Sequence, residues 1–393
     1  MAEPGFVEVR EGATTLLVPA GHTTFGPAAR AKAAGVFYNR AAALNRDVSV
    51  LYMAARHQGS AIRAVDALAG AGARGVRWVV EAGLQGVVLN DRSPAAAQAI
   101  AQNLARNGVE AEVAQKDIAV LLAERSFQHI ELDPYGTPAP FLDLAYRNLG
   151  RRAGVSFTAT DAAALCGASP KACERRYRAI PTRTPELCHE AALRILLGHA
   201  IQVAAKHDQA AVPVLANSRE HYFRCFTETR RSARLADELL AQLGWLVECD
   251  ACLARGFAPE RLRACFACAQ PARASGPMWR GALWDPGLLA QMAKQREGRA
   301  LARPAAVERD LGLWQEEADA GGLPFDLHRI AEREGIAEGA PTEAVVAALR
   351  ARGFPAAGSH LAGTYVRTPA PAADIVSCVR ETAAAHARLR DVA

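Results

Sequence analysis

The stretch IELDPYGTPAPFLD, residues 130–143, sets an acid and an aromatic ring side by side on a stiff turn. Ile130 and Leu132 end an apolar run, Asp133 follows, and Pro134-Tyr135-Gly136 leads into a helix expected from about Pro140 to Leu149. A carboxylate in that position either caps the helix or does chemistry. The helix is expected to start near Pro138–Pro140, too far on for Asp133 to cap it. The chemical reading is specific. A carboxylate at a strand end can accept the N–H of a weakly nucleophilic amine, align the nitrogen for reaction and take its proton. Tyr135 offers a flat face on which a base can stack, and Pro134 fixes the turn.

A second constellation lies upstream. DALAGAGARG contains Gly70-x-Gly72-x-x-Gly75 after an expected strand and at the opening of a helix. Asp91 stands at the end of the following strand, where an acid bonds ribose hydroxyls. This is the context of a dinucleotide fingerprint, so a nicotinamide-dependent oxidoreductase is a genuine alternative. Two acids favour S-adenosylmethionine. Asp66, just before the glycines, suits the amino-acid end of a cationic sulfonium cofactor and would repel a pyrophosphate. Asp117 suits the adenine amine, with Ile118 against the ring.

Cys249-x2-Cys252 and Cys265-x2-Cys268 form the third constellation, a tetrathiolate zinc pattern with every ligand position filled and therefore a structural one. The segment is too short to bury a core of its own, so the metal substitutes for one. Arg255, Arg261 and Arg263 lie between the pairs, within expected reach of phosphates. Cys166, Cys173, Cys188 and Cys225 are scattered and are read as core packing; His189-Glu190 is read as structural or RNA-facing.

The elements that must position these groups alternate from about residue 62 to 160: strand, turn, helix, repeated. Five strand candidates run into Asp66, Asp91, Asp117, Asp133 and Asp161. Such alternation implies an α/β fold with a mostly parallel sheet, helices on both faces, and ligands at the carboxyl ends of the strands. FVEVREGATTLLVPA reads as a hairpin before it. The tail, from about 290, shows two helices, an extended GTYVRT and a final helix, an order similar to a winged helix. The expected division is 1–245 for the cofactor-binding domain with its N-terminal extension and 246–393 for a smaller α+β domain carrying the metal insert.

Composition narrows the field less. The 393 residues are 50% hydrophobic and 22% charged, with a formal net charge of +5, which admits an anionic partner without requiring one. The opening MAEPGFVEVREG has no apolar signal region. The most apolar helical stretch carries Arg194, His199 and Gln202, so it reads as a core helix and not a membrane span. Nine cysteines without a signal sequence fit a reducing cytoplasm. No obligate protein partner is evident.

Taken together, FYNRAAALNRDVSV, DALAGAGARGVR, LND, ELDPYGTPAPFLD and FTATDAAALCGASPKACERRY…ELCHEAALRIL resemble the tRNA guanine-26 N2-dimethyltransferase family, in its order and roughly its spacing from residue 6 to about 300. The resemblance implies a Rossmann-like class I methyltransferase that uses S-adenosylmethionine to form N2-methyl- and N2,N2-dimethylguanine at tRNA position 26; some bacterial relatives also modify position 27. It also implies that Arg46 and Arg74 contact the cofactor, Asp91 the ribose, and Asp117 and Ile118 the adenine. Asp133 is then the catalytic carboxylate, and Phe37 and Tyr135 enclose the guanine. Arg40-Ala41 stands where the family usually has Pro-Arg. Extruding a stacked base costs a few kcal/mol and calls for a firm grip on tRNA. That grip is expected from Lys171, Arg175, Arg176 and Arg178 and from Arg219, Arg224, Arg230 and Arg231. Other readings at this point are a different amino-methyltransferase acting on RNA or DNA and a non-catalytic zinc-containing RNA-binding protein.

Overall fold

The computed structural model describes residues 5–20, 35–219, 222–336 and 339–391. A hairpin opens the chain, β1 (Phe6–Glu11) and β2 (Thr14–Pro19). Helix α1 (Ala43–His57) follows. Strands and helices then alternate: β3 (Ala61–Asp66), α2 (Ala73–Ala82), β4 (Gln85–Asn90), α3 (Pro94–Arg106), β5 (Glu112–Ala114), α4 (Ile118–Glu124), β6 (Phe127–Leu132), α5 (Ala139–Arg147) and β7 (Leu149–Ala159). Short α6 (Ala162–Leu165) and α7 (Pro170–Tyr177) lead to the long α8 (Pro185–Ala205), then β8 (Gln209–Arg219), β9 (Tyr222–Arg231) and α9 (Ala233–Leu240).

The central sheet has the order β5-β4-β3-β6-β7-β9-β8. Strands β3 to β7 run parallel; β9 is antiparallel to both β7 and β8. Strand order reverses between β3 and β6, which makes that crevice the switch point where ligands bind in open α/β sheets. Asp66 pairs in register with Glu131 across it. The expected acids all stand at this edge: Asp66 closes β3, Asp91 and Asp133 directly follow β4 and β6, and Asp117 and Asp161 lie a few residues beyond β5 and β7.

The hairpin closes on α3 through side-chain amides. Asn103 Oδ1 accepts from Leu17 N (2.6 Å) and its Nδ2 donates to Leu17 O (3.1 Å) and to Ala71 O (2.9 Å). Asn107 does the same for Thr15. These amides stand in for a neighbouring strand and leave the backbone of β2 satisfied.

Beyond the central sheet lie β10 (Leu243–Glu248), β11 (Arg255–Ala258) and β12 (Arg273–Trp279), an antiparallel sheet with β10 in the middle, then α10 (Pro286–Arg296) and α11 (Pro304–Ala320). The tail comprises β13 (Leu323–Asp326), α12 (Leu327–Arg333), α13 (Thr342–Ala351), β14 (Ala357–Gly358), β15 (Tyr365–Thr368) and α14 (Ala372–Asp391), with sheet order β13-β15-β14. The larger hydrophobic core runs past the expected boundary at 245–246, taking in Leu246, Met278, Trp279, Trp284, Trp314 and Leu323. A second core begins at Phe325 and holds α12, α13 and α14 together. Division by core therefore falls near residue 324, because the apolar faces of β10, β12, α10 and α11 pack on the sheet domain.

Candidate active site

Backbone geometry builds the crevice first. The β3–α2 turn passes through left-handed conformations at Gly70 (φ 55°) and Gly72 (φ 79°). A Cβ on Gly70 would lie 2.5 Å from the Phe37 carbonyl oxygen, so only glycine admits the Phe37 segment there. That carbonyl accepts from Ala71 N at 2.9 Å. The glycine turn thus docks the FYN segment against the mouth of the sheet and presents the Phe37 ring, 44% exposed.

The opposite side is the β6–α5 turn. Helix α5 begins at Ala139 with Pro138 at its cap, and Thr137 Oγ1 accepts from Ala139 N at 3.2 Å. Asp133 caps nothing, as the spacing implied. Across from the turn, Thr160 N donates to Gly136 O (2.8 Å) and Gly136 N donates to Thr160 Oγ1 (3.0 Å). The turn is clamped while Tyr135 projects, 80% exposed. Among the described residues the exposed large hydrophobics are Phe37, Val120, Tyr135 and Phe266, and two of these aromatic rings flank this crevice.

The Asp133 side chain is 29% exposed and ion-pairs with Arg74, which is buried. Arg74 also donates to Asn45 Oδ1 at 2.8 Å, and its Nε lies 3.8 Å from Glu131 Oε1. Below, Glu131 is fully buried, paired with Arg224 and bonded by Ser156 Oγ (2.5 Å). Burial works to raise the Glu131 carboxyl, but Arg224 and Arg74 outweigh it and hold the group below the ordinary carboxylate range. Asp66 takes the Gly75 N–H at 3.1 Å. Burial raises its carboxyl to about 7, against the pull of Arg74 and with reinforcement from Glu131 and Asp133.

At the outer strand ends, Asp91 accepts from Gly70 N (3.0 Å) and Ser93 N (2.9 Å), and Asp117 caps α4 through Ala119 N (2.8 Å) ahead of the buried Ile118. The donor set suits a cofactor with a cationic amino-acid end and an adenosine end. Asp66, Asp91, Asp117 and Asp133 line the edge, and the Arg46 and Arg74 guanidiniums are both matched by carboxylates. A pyrophosphate would meet four acids.

Arg46 is placed differently from expectation. It is buried, and its described contacts are Nε to Glu11 Oε2 (2.7 Å), Nη2 to Glu11 Oε1 (2.5 Å) and Nη2 to the Asn39 carbonyl (2.9 Å). Tyr38 Oη donates to the same Glu11 at 2.5 Å. Arg46 therefore braces the segment that carries Phe37. The Arg40-Ala41 departure is accommodated locally, because Asn39 Oδ1 accepts from Ala41 N (2.9 Å) and starts a short 3-10 turn.

The expected basic surface divides. Lys171, Arg175, Arg176 and Arg178 on and after α7 are exposed, with Arg176 paired to Asp161 at 2.6 Å; Arg230 and Arg231 are exposed too. Arg224 is not a surface base: it is fully buried under Glu131. Arg219 is committed to Asp310 (Nε–Oδ2 2.8 Å) and Arg255 to the Pro324 carbonyl (2.7 Å) and Glu186 (3.3 Å). Each looks like a surface cation in sequence because its acidic partner lies 69 to 93 residues away along the chain. Glu190 is structural, buried between Arg194 and Arg367.

Around the metal pattern, the four Sγ atoms of Cys249, Cys252, Cys265 and Cys268 lie within 4.8 Å of one another, with Cys249–Cys268 and Cys252–Cys265 at 3.6 Å. Zinc with Zn–S bonds of about 2.3 Å sets tetrahedral S···S edges near ~3.8 Å. The two Cys-x2-Cys knuckles match each other: Cys249 N bonds Ala254 O and Cys265 N bonds Gln270 O, with Leu253 (φ 60°) and Ala269 (φ 59°) left-handed at equivalent places. The residues fit zinc. Arg333 donates to the Asp250 (2.5 Å) and Ala251 (2.7 Å) carbonyls, tying α12 to the first knuckle. Sequence reading missed Asn45 and Glu131 around Arg74, although a charged residue inside the apolar run IEL was a visible signal. It also missed Phe266, 57% exposed between the second pair of cysteines.

Among the described residues no helix is long and apolar enough to cross a membrane. A profile of the family described as N2,N2-dimethylguanosine tRNA methyltransferase matches residues 12–380. The chain is 36% identical over 377 residues to a tRNA (guanine(26)-N(2))-dimethyltransferase of Methanospirillum hungatei, covering 94% of this chain and 98% of the relative. It is 35% identical over 387 residues to the protein of that name from Pyrococcus horikoshii, covering 93% and 96%. The solved structure of Trm1 from Pyrococcus horikoshii in complex with S-adenosyl-L-methionine superposes with a TM-score of 0.81 at 34% identity, covering 95% of this chain and 99% of that one.

Proposed function

The chain belongs to the N2,N2-dimethylguanosine tRNA methyltransferase family, and from that premise we propose how its own residues carry the reaction. The activity is S-adenosylmethionine-dependent dimethylation of guanine 26 of tRNA at N2. S-adenosylmethionine, when bound, supplies an electrophilic methyl group. In this reading Asp66 faces its amino-acid end, Asp91 its ribose, and Asp117 with Ile118 its adenine; the turn at Gly70–Gly72 lets backbone approach closely. Arg46 acts through the Phe37 segment that it braces.

The guanine amine is a weak nucleophile because its lone pair is delocalised into the ring. Asp133 accepts the amine N–H, orients the nitrogen and takes its proton as the new N–C bond forms. The monomethyl product still carries one N–H, so the same carboxylate serves the second round, and its partial exposure gives the proton a way out. Phe37 and Tyr135 receive the extruded base between their rings. Arg74, fixed by Asn45 and Glu131, keeps the Asp133 carboxylate aimed at the mouth of the crevice. Lys171, Arg175 and Arg178 hold the tRNA backbone.

The Cys249, Cys252, Cys265 and Cys268 set holds a structural zinc that secures the β10–β12 sheet and, through Arg333, the tail. We assign the tail from β13 onward as a winged-helix-like unit on its order of elements, β13–α12–α13–β14–β15–α14.

The observation that carries this reading is the position of Asp133: directly after β6 at the switch point, partly exposed, free of capping and steered by a buried guanidinium. Asp133→Asn, assayed in parallel for cofactor binding and methyl transfer, tests it.

A further inference from the structure

We propose that Cys166, Cys188 and His189 form a second metal site, one that takes a zinc-class divalent ion at the base of the loop bearing α7. The Sγ atoms of Cys166 and Cys188 and a ring nitrogen of His189 lie within 4.8 Å of one another. All three side chains are half-buried, shielded from bulk water yet reachable by an ion. They come from separate elements: Cys166 caps the end of α6, and Cys188 and His189 lie in the opening turns of α8. Apolar packing, the expectation for scattered cysteines, does not call for two thiols and an imidazole converging on one point.

The donor set selects the ion. Two thiolates and an imidazole suit zinc and disfavour magnesium or calcium, which take oxygen ligands. Bonds of about 2.3 Å to sulfur and about 2.0 Å to nitrogen need ligand separations near ~3.5–3.8 Å. Atoms already within 4.8 Å of one another reach that spacing by closing at most about 1.3 Å. The His189 ring is already oriented by β8 and β9: Ser218 Oγ lies 3.4 Å from Nδ1, and Phe223 meets the ring edge-on with centroids 5.7 Å apart. Three protein ligands leave a fourth position for water.

Position gives the site a consequence. Cys166 and Cys188 bracket residues 167–187, which include α7 with Lys171, Arg175 and Arg178. A metal bridge closes that loop at its base and restricts it, as any cross-link does. The effect on tRNA rests on the reading of α7 above; the metal site itself does not.

The test is cobalt(II) titration of the reduced, full-length protein with its Cys249–Cys268 site already filled by zinc. One further equivalent should bind with thiolate-to-cobalt charge-transfer absorption, and the Cys166→Ser/Cys188→Ser variant should lack that band. No additional thiolate-bound cobalt in the wild type, or an unchanged band in the double variant, overturns the proposal. A wild-type measurement covers the case of a variant that fails to fold. Added zinc should slow alkylation of Cys166 and Cys188, read by peptide mass; equal rates with and without zinc also overturn it.

Discussion

Arg74 joins Asp133 to Asn45: one terminal guanidinium nitrogen pairs with the Asp133 carboxylate while the other donates to the Asn45 amide oxygen at 2.8 Å. The arginine is buried and its Nε faces Glu131, so the planar fork has one orientation available. A lysine has a single nitrogen and cannot span both partners. Arg74→Lys should therefore lower the single-turnover rate of methyl transfer by about 10- to 100-fold, the cost of a slightly misplaced reacting group, with little change in tRNA affinity. An unaltered rate would remove Arg74 from the positioning of Asp133.

Asp66 predicts a pH dependence. Its carboxyl is raised to about 7, chiefly by burial. A raised carboxyl stabilises the fold fully below the unfolded value near 3.8, and that stability is lost as pH rises through about 7. Asp66→Asn should thus be more stable than wild type at pH 8 and not below pH 4, read by thermal unfolding. Cofactor binding runs the opposite way, because only ionised Asp66 attracts a cationic amino-acid end. Wild-type affinity should rise about tenfold between pH 6 and pH 7.5 relative to Asp66→Asn; that comparison cancels titration of the cofactor itself. Calorimetry that finds the two proteins parallel across this range would take Asp66 off the cofactor.

The exposed cations near α7 predict a salt effect. Arg175→Glu with Arg178→Glu should weaken tRNA binding at physiological salt and flatten its dependence on salt concentration, since neutralised phosphates release counterions. Cofactor affinity should not change. Arg176 is the poorer choice because Asp161 already occupies it.

Much of this site was readable in the chain because its signals are local. Asp133 is marked by the turn that follows it, the Gly70–Gly72 turn by spacing, and the zinc set by two knuckles whose spacing is itself the coordination pattern. Long-range charge pairing was not readable. Arg224 and Arg255 look like surface cations in sequence, and only the fold brings Glu131 and Glu186 against them. Burial then turns an expected RNA contact into a structural brace. The same holds for Arg46, whose partner Glu11 sits on the hairpin. The boundary expected at 245–246 followed the cysteine-rich composition, whereas packing continues to Leu323 because β10, β12 and α11 supply apolar faces to the larger core.

A buried network welds the tail to α8. Arg367 bonds Glu190 (Nη1–Oε1 3.2 Å) and Glu317 (Nε–Oε2 3.1 Å), Arg194 bonds Glu190 (2.9 Å), and His360 faces Glu317 (3.0 Å). Removing one partner leaves an unmatched buried charge, so Glu190→Gln should cost about 3–5 kcal/mol in denaturant unfolding. Burial works to raise the Glu190 carboxyl, but Arg367 and Arg194 prevail and lower it to about 2. Its contribution is therefore present above the unfolded value near 4.5 and lost as pH falls from there towards 2. Wild type should lose stability over that interval more steeply than Glu190→Gln.

The most direct measurement on the central claim uses Asp133→Asn, which keeps the shape of the side chain and can still meet Arg74 but cannot take the amine proton. Cofactor binding by calorimetry and N2-dimethylguanine formation by nucleoside mass analysis are read on one preparation with one purified tRNA. The account predicts cofactor and tRNA affinities within about twofold of wild type and methyl transfer lowered by about 100-fold or more, the usual worth of a positioned general base. Near-wild-type methyl transfer by Asp133→Asn would contradict it.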